Sequence, residues 1–318
     1  MGEIMKRVML TVAYEGTNYC GWQIQPNGNT IEGELNKALT QLLGEEITVS
    51  GASRTDTGVH ALCNLAVFDT GARMPAEKIS YALNQRLPED IRIQKSEEVA
   101  SDFHPRRCET KKTYVYRIYE AVFPNPIVRR YSLFTYTKLD TEAMKQAAGY
   151  FLGEHDFKSF CSTNAQVLST VRTLYDVNLT EYPLAAGRMI ELRFTGNGFL
   201  YNMVRIIVGT LLEVGSGKLA AERIPDILAA KDRDAAGPTA PACGLMLEKY
   251  EFVGETTAHI SEKLTNVNES VKDILAKINQ ISDSIAKENE EMSTINATVE
   301  ELHAAADEIA RMAETLYR

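Results

Sequence analysis

Ten consecutive residues, Gly51-Ala52-Ser53-Arg54-Thr55-Asp56-Thr57-Gly58-Val59-His60, set a carboxylate two positions from a guanidinium among small side chains. Such a run suits a tight loop, and two readings fit it. One is a loop salt bridge between Arg54 and Asp56, with the Asp and Thr side chains closing turn hydrogen bonds. The other is a carboxylate kept ionised by arginine, as a nucleophile requires. Arg205 lies in the apolar run Met203–Val214 and needs a carboxylate partner if it faces inward. Tyr114 and Tyr116, two apart in a strand-like segment, share one face of a sheet. Packing suffices to explain Tyr116. Arg106-Arg107, Lys111-Lys112 and Arg129-Arg130 gather positive charge in one region. Any one pair reads as a solvated face; together, with tyrosines interleaved, they form a candidate phosphate-contact stripe.

Other chemistries find little support. Gly215-Ser216-Gly217-Lys218 lacks the upstream glycine and the following Ser/Thr of a P-loop, and Gly196-Asn197-Gly198 lacks the third glycine of a dinucleotide fingerprint. The five histidines have no metal spacing with cysteine or carboxylate. Neither a cofactor nor a metal is expected. Five scattered cysteines, never spaced as CxxC, fit reduced thiols in a cytoplasm. The N-terminal segment runs straight into a strand pattern, so no signal peptide is expected, and Met203–Val214 is too short to span a bilayer.

The elements that must position these residues fall into two regimes along the 318 residues. Residues 254–318 hold 13 acidic and 6 basic residues, a net of -7 out of the -9 for the whole chain. The first 253 residues are therefore nearly neutral, and their total charge neither suggests nor forbids a nucleic-acid partner. Alternation predicts strands near 4–14, 47–52, 61–69 and 91–99, with helices near 30–43, capped by Thr30, and 76–87, opened by Pro75. The order β-α-β-β-α-β then recurs, with strands near 111–120, 169–180, 188–195 and 245–252 and helices near 140–152, 202–214 and 221–231. The expected fold is α+β: two ferredoxin-like units with antiparallel sheets, over 1–108 and 109–253.

From Glu255 onward there is no glycine or proline, and steps of four and three from Ile260 to Leu316 meet apolar residues at 16 of 17 positions, broken only by Glu288. This 3.5-residue repeat predicts a long coiled-coil helix, at about 1.5 Å per residue roughly 85 Å long, pairing through 260–316.

Ser53-Arg54-Thr55-Asp56-Thr57-Gly58-Val59-His60-Ala61 strongly resembles the RTDxGVHA signature of the tRNA pseudouridine synthase A family. Tyr14–Gln23, Lys112–Tyr116, Gly153–Phe157, Phe199–Arg205 and Ala240–Leu245 match further blocks of that family in order, covering about residues 5–253. The resemblance implies isomerisation of uridine to pseudouridine in the anticodon stem-loop of tRNA, at positions 38, 39 and 40, by a homodimer without a cofactor. It makes Asp56 the catalytic aspartate and Arg205 its pairing cation. It also places Tyr114 against the flipped uracil and Arg54, Thr55, His60, Arg106 and Lys112 with the substrate. Ser53 stands where glycine is commoner, and Cys63-Asn64 replace the usual Gly-Gln. A non-catalytic RNA-binding module is the alternative. The tail lies outside that family. Thr298–Glu308 is similar to the C-terminal helix of methyl-accepting chemotaxis proteins, which leaves a coiled-coil interaction protein with a passenger enzyme as a further reading.

Overall fold

Thr30 sets the first helix as its chemistry predicts. In the computed structural model, which describes residues 5–163, 167–253 and Met312, the Thr30 hydroxyl accepts from the Gly33 amide at 3.2 Å. Helix α1 (Ile31–Leu43) follows, buries Ile31, Leu35, Ala38 and Leu39, and stops at Gly44 in the left-handed conformation, φ 74°. Before it comes β1 (Lys6–Tyr14). After it come β2 (Ser50–Gly51), β3 (His60–Thr70), α2 (Ala76–Leu83), β4 (Ile91–Val99) and β5 (Thr110–Glu120). The chain continues through β6 (Leu133–Thr135), α3 (Thr141–Gly149), β7 (Gly153–Asp156), β8 (Val171–Leu184) and β9 (Gly187–Gly196). Helices α4 (Met203–Gly215) and α5 (Ile224–Ala230) precede the last strand, β10 (Leu245–Phe252).

Several boundaries differ from expectation, two of them for an evident local reason. The strand predicted over 47–52 shrinks to Ser50–Gly51, because helix α1 captures the preceding amides: Ile47 N–H donates to Thr40 Oγ1 and Val49 N–H to Asn36 Oδ1. Helix α2 ends at Leu83, not 87, since the Asn84 amide exchanges two hydrogen bonds with the backbone of Ile93 at 2.9 and 2.8 Å. The helix near 221–231 begins as a 3-10 turn, Ala221–Arg223, before α5. The short strands β6 and β7 carry too few residues for period-2 alternation to show.

The larger correction concerns the sheets. Instead of separate antiparallel sheets there is one ten-stranded sheet, with spatial order β4-β1-β3-β10-β5-β9-β8-β7, β2 beside β3 and β6 beside β5. Its two halves join where β10 pairs in parallel with the start of β3, Met246 opposite His60 and Leu247 opposite Ala61. The β5–β6 pair is also parallel. One continuous apolar cluster runs from Val8 to Leu247 and includes Tyr114, Tyr116, Met203 and Val204.

Residues 1–253 form one contact unit and 254–318 another. The heptad seam over 260–316 lies outside the described residues. No helix among the described residues is long and apolar enough to cross a membrane.

Candidate active site

The loop between β2 and β3 is anchored on both sides of Asp56. Ala52 N–H donates to the Leu65 carbonyl at 2.7 Å, Trp22 N–H to the Thr55 carbonyl at 3.0 Å, and Val59 N–H to the Asp56 carbonyl at 3.1 Å. The segment Gly16–Trp22 backs the loop closely. Gly21 has φ +89°, and a Cβ there would stand 2.6 Å from the Thr55 carbonyl oxygen, so only glycine fits.

Helix α4 brings in the cation. Arg205 Nη1 donates to Asp56 Oδ2 at 3.4 Å and to Asn202 Oδ1 at 2.9 Å, while its Nε donates to the Ala240 carbonyl at 2.7 Å. The Ala240 amide returns a bond to the Arg205 carbonyl at 3.0 Å. Asn202 sits at the helix entrance with φ 61° and donates to Ser162 Oγ at 2.8 Å. Arg205 is thus aimed by its own helix end and by the Ala240 strap, independently of Asp56.

Both charged side chains are largely withdrawn from water, at 17% exposure for Arg205 and 19% for Asp56. Burial raises the Asp56 pKa above the ordinary aspartate value, and Arg205 offsets only part of that rise. The arginine two residues away does not help. Arg54 is exposed and forms no ion pair with Asp56, so the loop salt bridge is replaced by one to Arg205.

Asp56 lines an open cavity of about 600 Å³ together with Ser53, Arg54, Tyr114, Lys112, Arg106 and residues 199–204. Tyr114 packs edge-on against Phe199, ring centroids 5.0 Å apart at 78°. Burial pushes the Tyr114 hydroxyl well above the usual phenol range, so it stays protonated. Tyr116 shares the face but not the cavity: it is fully buried and donates to the Pro241 carbonyl at 2.7 Å. Lys112 is half-buried in the cavity wall and its ammonium pKa is pushed down to about 8, by burial first and then by Arg106 and Arg172. Arg106 reaches Ser50 Oγ at 3.2 Å.

Not every expected substrate contact points into this space. Thr55 lines the cavity, but its hydroxyl is engaged by the Tyr14 hydroxyl at 2.7 Å. His60 is outside the cavity lining: it is buried, its Nδ1 accepts from the Gly16 amide at 3.0 Å, and its ring packs on Tyr131. Burial lowers the His60 pKa. That geometry gives His60 a packing place behind the loop. Of the basic pairs, Arg106 and Lys112 reach the cavity, whereas Arg130 pairs with Glu15 at 3.2 Å. Sequence reasoning passed over Phe199 and Asn202, although both stand in the same block as Arg205. Among the described residues no group of three or more His, Cys, Asp or Glu side chains could hold a metal ion.

A carboxylate paired with an arginine thus lines an aromatic-walled cavity on a mixed sheet, with Arg54, Arg106 and Lys112 also in its lining. A profile of tRNA pseudouridine synthases matches residues 10–106 and 147–253, and the chain belongs to that family. Among its relatives, the tRNA pseudouridine synthase A of Ruminiclostridium cellulolyticum is 49% identical over 248 residues, covering all of that protein and 78% of this chain. The enzymes of the same name from Acetivibrio thermocellus and Moorella thermoacetica are 47% and 46% identical, each covered in full by 78% of this chain.

Proposed function

We propose that this protein isomerises uridine to pseudouridine in the anticodon stem-loop of tRNA, at positions 38, 39 and 40, with Asp56 as the nucleophile. The reaction breaks the N1–C1′ glycosidic bond, turns the uracil, forms C5–C1′, and moves one proton from C5 to N1. No electrons leave the substrate, so the site needs only a carboxylate, a place for the rotating ring and a grip on RNA. The observation that carries the reading is Asp56, paired with Arg205, lining the same cavity as Tyr114 and Phe199. An isolated uridine leaves the stem to enter such a cavity, where the aromatic wall can stack on it. Lys112, Arg106 and Arg54 meet the phosphates on either side.

Residues 1–108 and 109–253 act as two similar ferredoxin-like units. The repeat of strand order supports this, β4-β1-β3-β2 in one half and β10-β5-β9-β8 in the other. The working form is a cytoplasmic homodimer, in which heptads over 260–316 pair as a coiled coil; five free thiols and the seam spacing support these assignments.

The deciding test is incubation of the full chain with unmodified tRNA, followed by site-resolved pseudouridine mapping. Signal in the anticodon stem-loop that disappears with Asp56→Asn supports the reading. RNA binding without isomerisation overturns it in favour of a binding module.

A further inference from the structure

The β2–β3 ladder ends at Gly51, with four residues still to go before Asp56, yet the chain between does not wander. Ser50 lies opposite Val67 and Gly51 opposite Ala66, and Ala52 N–H still reaches the Leu65 carbonyl at 2.7 Å. The next rung falls on Ser53 and Asn64, and here a side chain replaces backbone. Asn64 Oδ1 accepts from Ser53 N–H at 3.2 Å and from Leu65 N–H at 2.9 Å, and Asn64 Nδ2 donates to the Ser53 carbonyl at 2.9 Å. The second Nδ2 proton goes to the Tyr14 hydroxyl at 3.1 Å. Both donors and both lone pairs of this carboxamide are used, on a residue with no exposed surface. Tyr14, accepting from Asn64, is free to donate to Thr55 Oγ1 at 2.7 Å.

A bulge places that side chain. Val12 of β1 pairs with Asn64 and Tyr14 with Ala61, so β3 carries one extra residue between the two pairs. Bulges of this kind re-aim the side chains beside them. The result is a closed polar chain, Ser53–Asn64–Tyr14–Thr55, under the segment that delivers Asp56.

We infer that Asn64 is the positioning residue for Asp56: its carboxamide acts as an added rung that carries the sheet's register one residue further into the loop, with Tyr14 as its second arm. It touches no substrate and works through the backbone of residues 53–55. Because the inference rests on Asp56 being the attacking carboxylate, its test has two readouts. In Asn64→Asp, both amide donors are lost without a change of size, leaving the Ser53 carbonyl unpaired. A nucleophile displaced by about 1 Å loses on the order of 10²-fold in rate.

Full-length protein and Asn64→Asp are compared for kcat and KM on tRNA and for amide hydrogen exchange, with Tyr14→Phe as a milder variant should the first fail to fold. The expected result is kcat lowered by about 10²-fold with KM within about twofold, and loss of exchange protection confined to residues 53–57. Tyr14→Phe shows the same pattern more weakly. Unchanged protection over 53–57, or loss spread across β1 and β3, overturns the inference, as does kcat within about threefold of the parent. If the parent itself makes no pseudouridine, the proposed function fails, and the exchange comparison alone decides whether Asn64 holds the loop.

Discussion

Arg205 meets Asp56 through one nitrogen, at 3.4 Å across 149 residues of sequence, while its Nε is committed to the Ala240 carbonyl at 2.7 Å. The contact is not the two-pronged fork that arginine and carboxylate adopt when they bind each other most tightly. The guanidinium is held from behind, and the carboxylate keeps an oxygen that Arg205 does not occupy. That arrangement suits the attacking role proposed for Asp56.

Asp56→Asn is expected to abolish pseudouridine formation, by at least about 10⁴-fold in single-turnover rate, while retaining tRNA binding. The variant should also be no less stable. A carboxyl whose folded pKa is raised contributes stability below its unfolded pKa and loses it as pH rises through the folded value. At neutral pH ionised Asp56 therefore opposes folding, and the neutral amide removes that cost. A melting temperature well below the parent's would contradict the burial argument.

Arg205→Met removes the one group that pulls the Asp56 pKa down. The acid limb of the rate profile should move to higher pH, because the carboxylate is the proposed active form and is now protonated further up the scale. Single-turnover rates from pH 5 to 9 test this; an unmoved limb with a uniformly lower rate would show that Arg205 acts by geometry alone.

Tyr114 and Phe199 divide the aromatic wall. Phe199→Ala deletes the edge-on partner at 5.0 Å and should raise KM about tenfold, in line with roughly 1–3 kcal/mol per stacked base. Tyr114→Phe keeps the ring and deletes a hydroxyl that burial holds protonated. Its loss should fall on kcat, by about 10²-fold if the hydroxyl assists proton movement. A Tyr114→Phe enzyme with normal kcat would reduce the residue to a platform.

Lys112 should give RNA affinity a pH dependence. Its ammonium pKa of about 8 means that charge is lost as pH passes through that value, so binding should weaken between pH 7 and 9. Lys112→Arg should keep the affinity and erase the step. Lys112→Gln should lower the slope of log affinity against log salt by about 1. Titrations at several salt concentrations and pH values separate the two variants.

Much of this site could be read from residue types. Thr30 capped its helix, and an arginine embedded in the apolar run 203–214 did have a carboxylate waiting. What stayed hidden depended on contacts distant in sequence. Asn202 takes the left-handed backbone conformation, which asparagine tolerates better than most residues, and its side chain is held by Arg205 and Ser162. The β2 strand was overestimated because Asn36 and Thr40, on a helix, took the amides that alternation assigns to a sheet. Asn64 looked like a mere departure from a motif, and its four hydrogen bonds appear only once Tyr14 and Ser53 are brought beside it.

The parallel seam between His60–Ala61 and Met246–Leu247 has a consequence for the order of synthesis. A ribosome releases β3 long before β10 exists, so the edge of β3 beside the Asp56 loop waits with open hydrogen-bonding groups, the kind of edge that recruits stray strands. Only the last residues of the 253-residue body close it, and the Ala240 strap that aims Arg205 emerges just before them. A nascent or truncated chain therefore holds its carboxylate without the finished site around it.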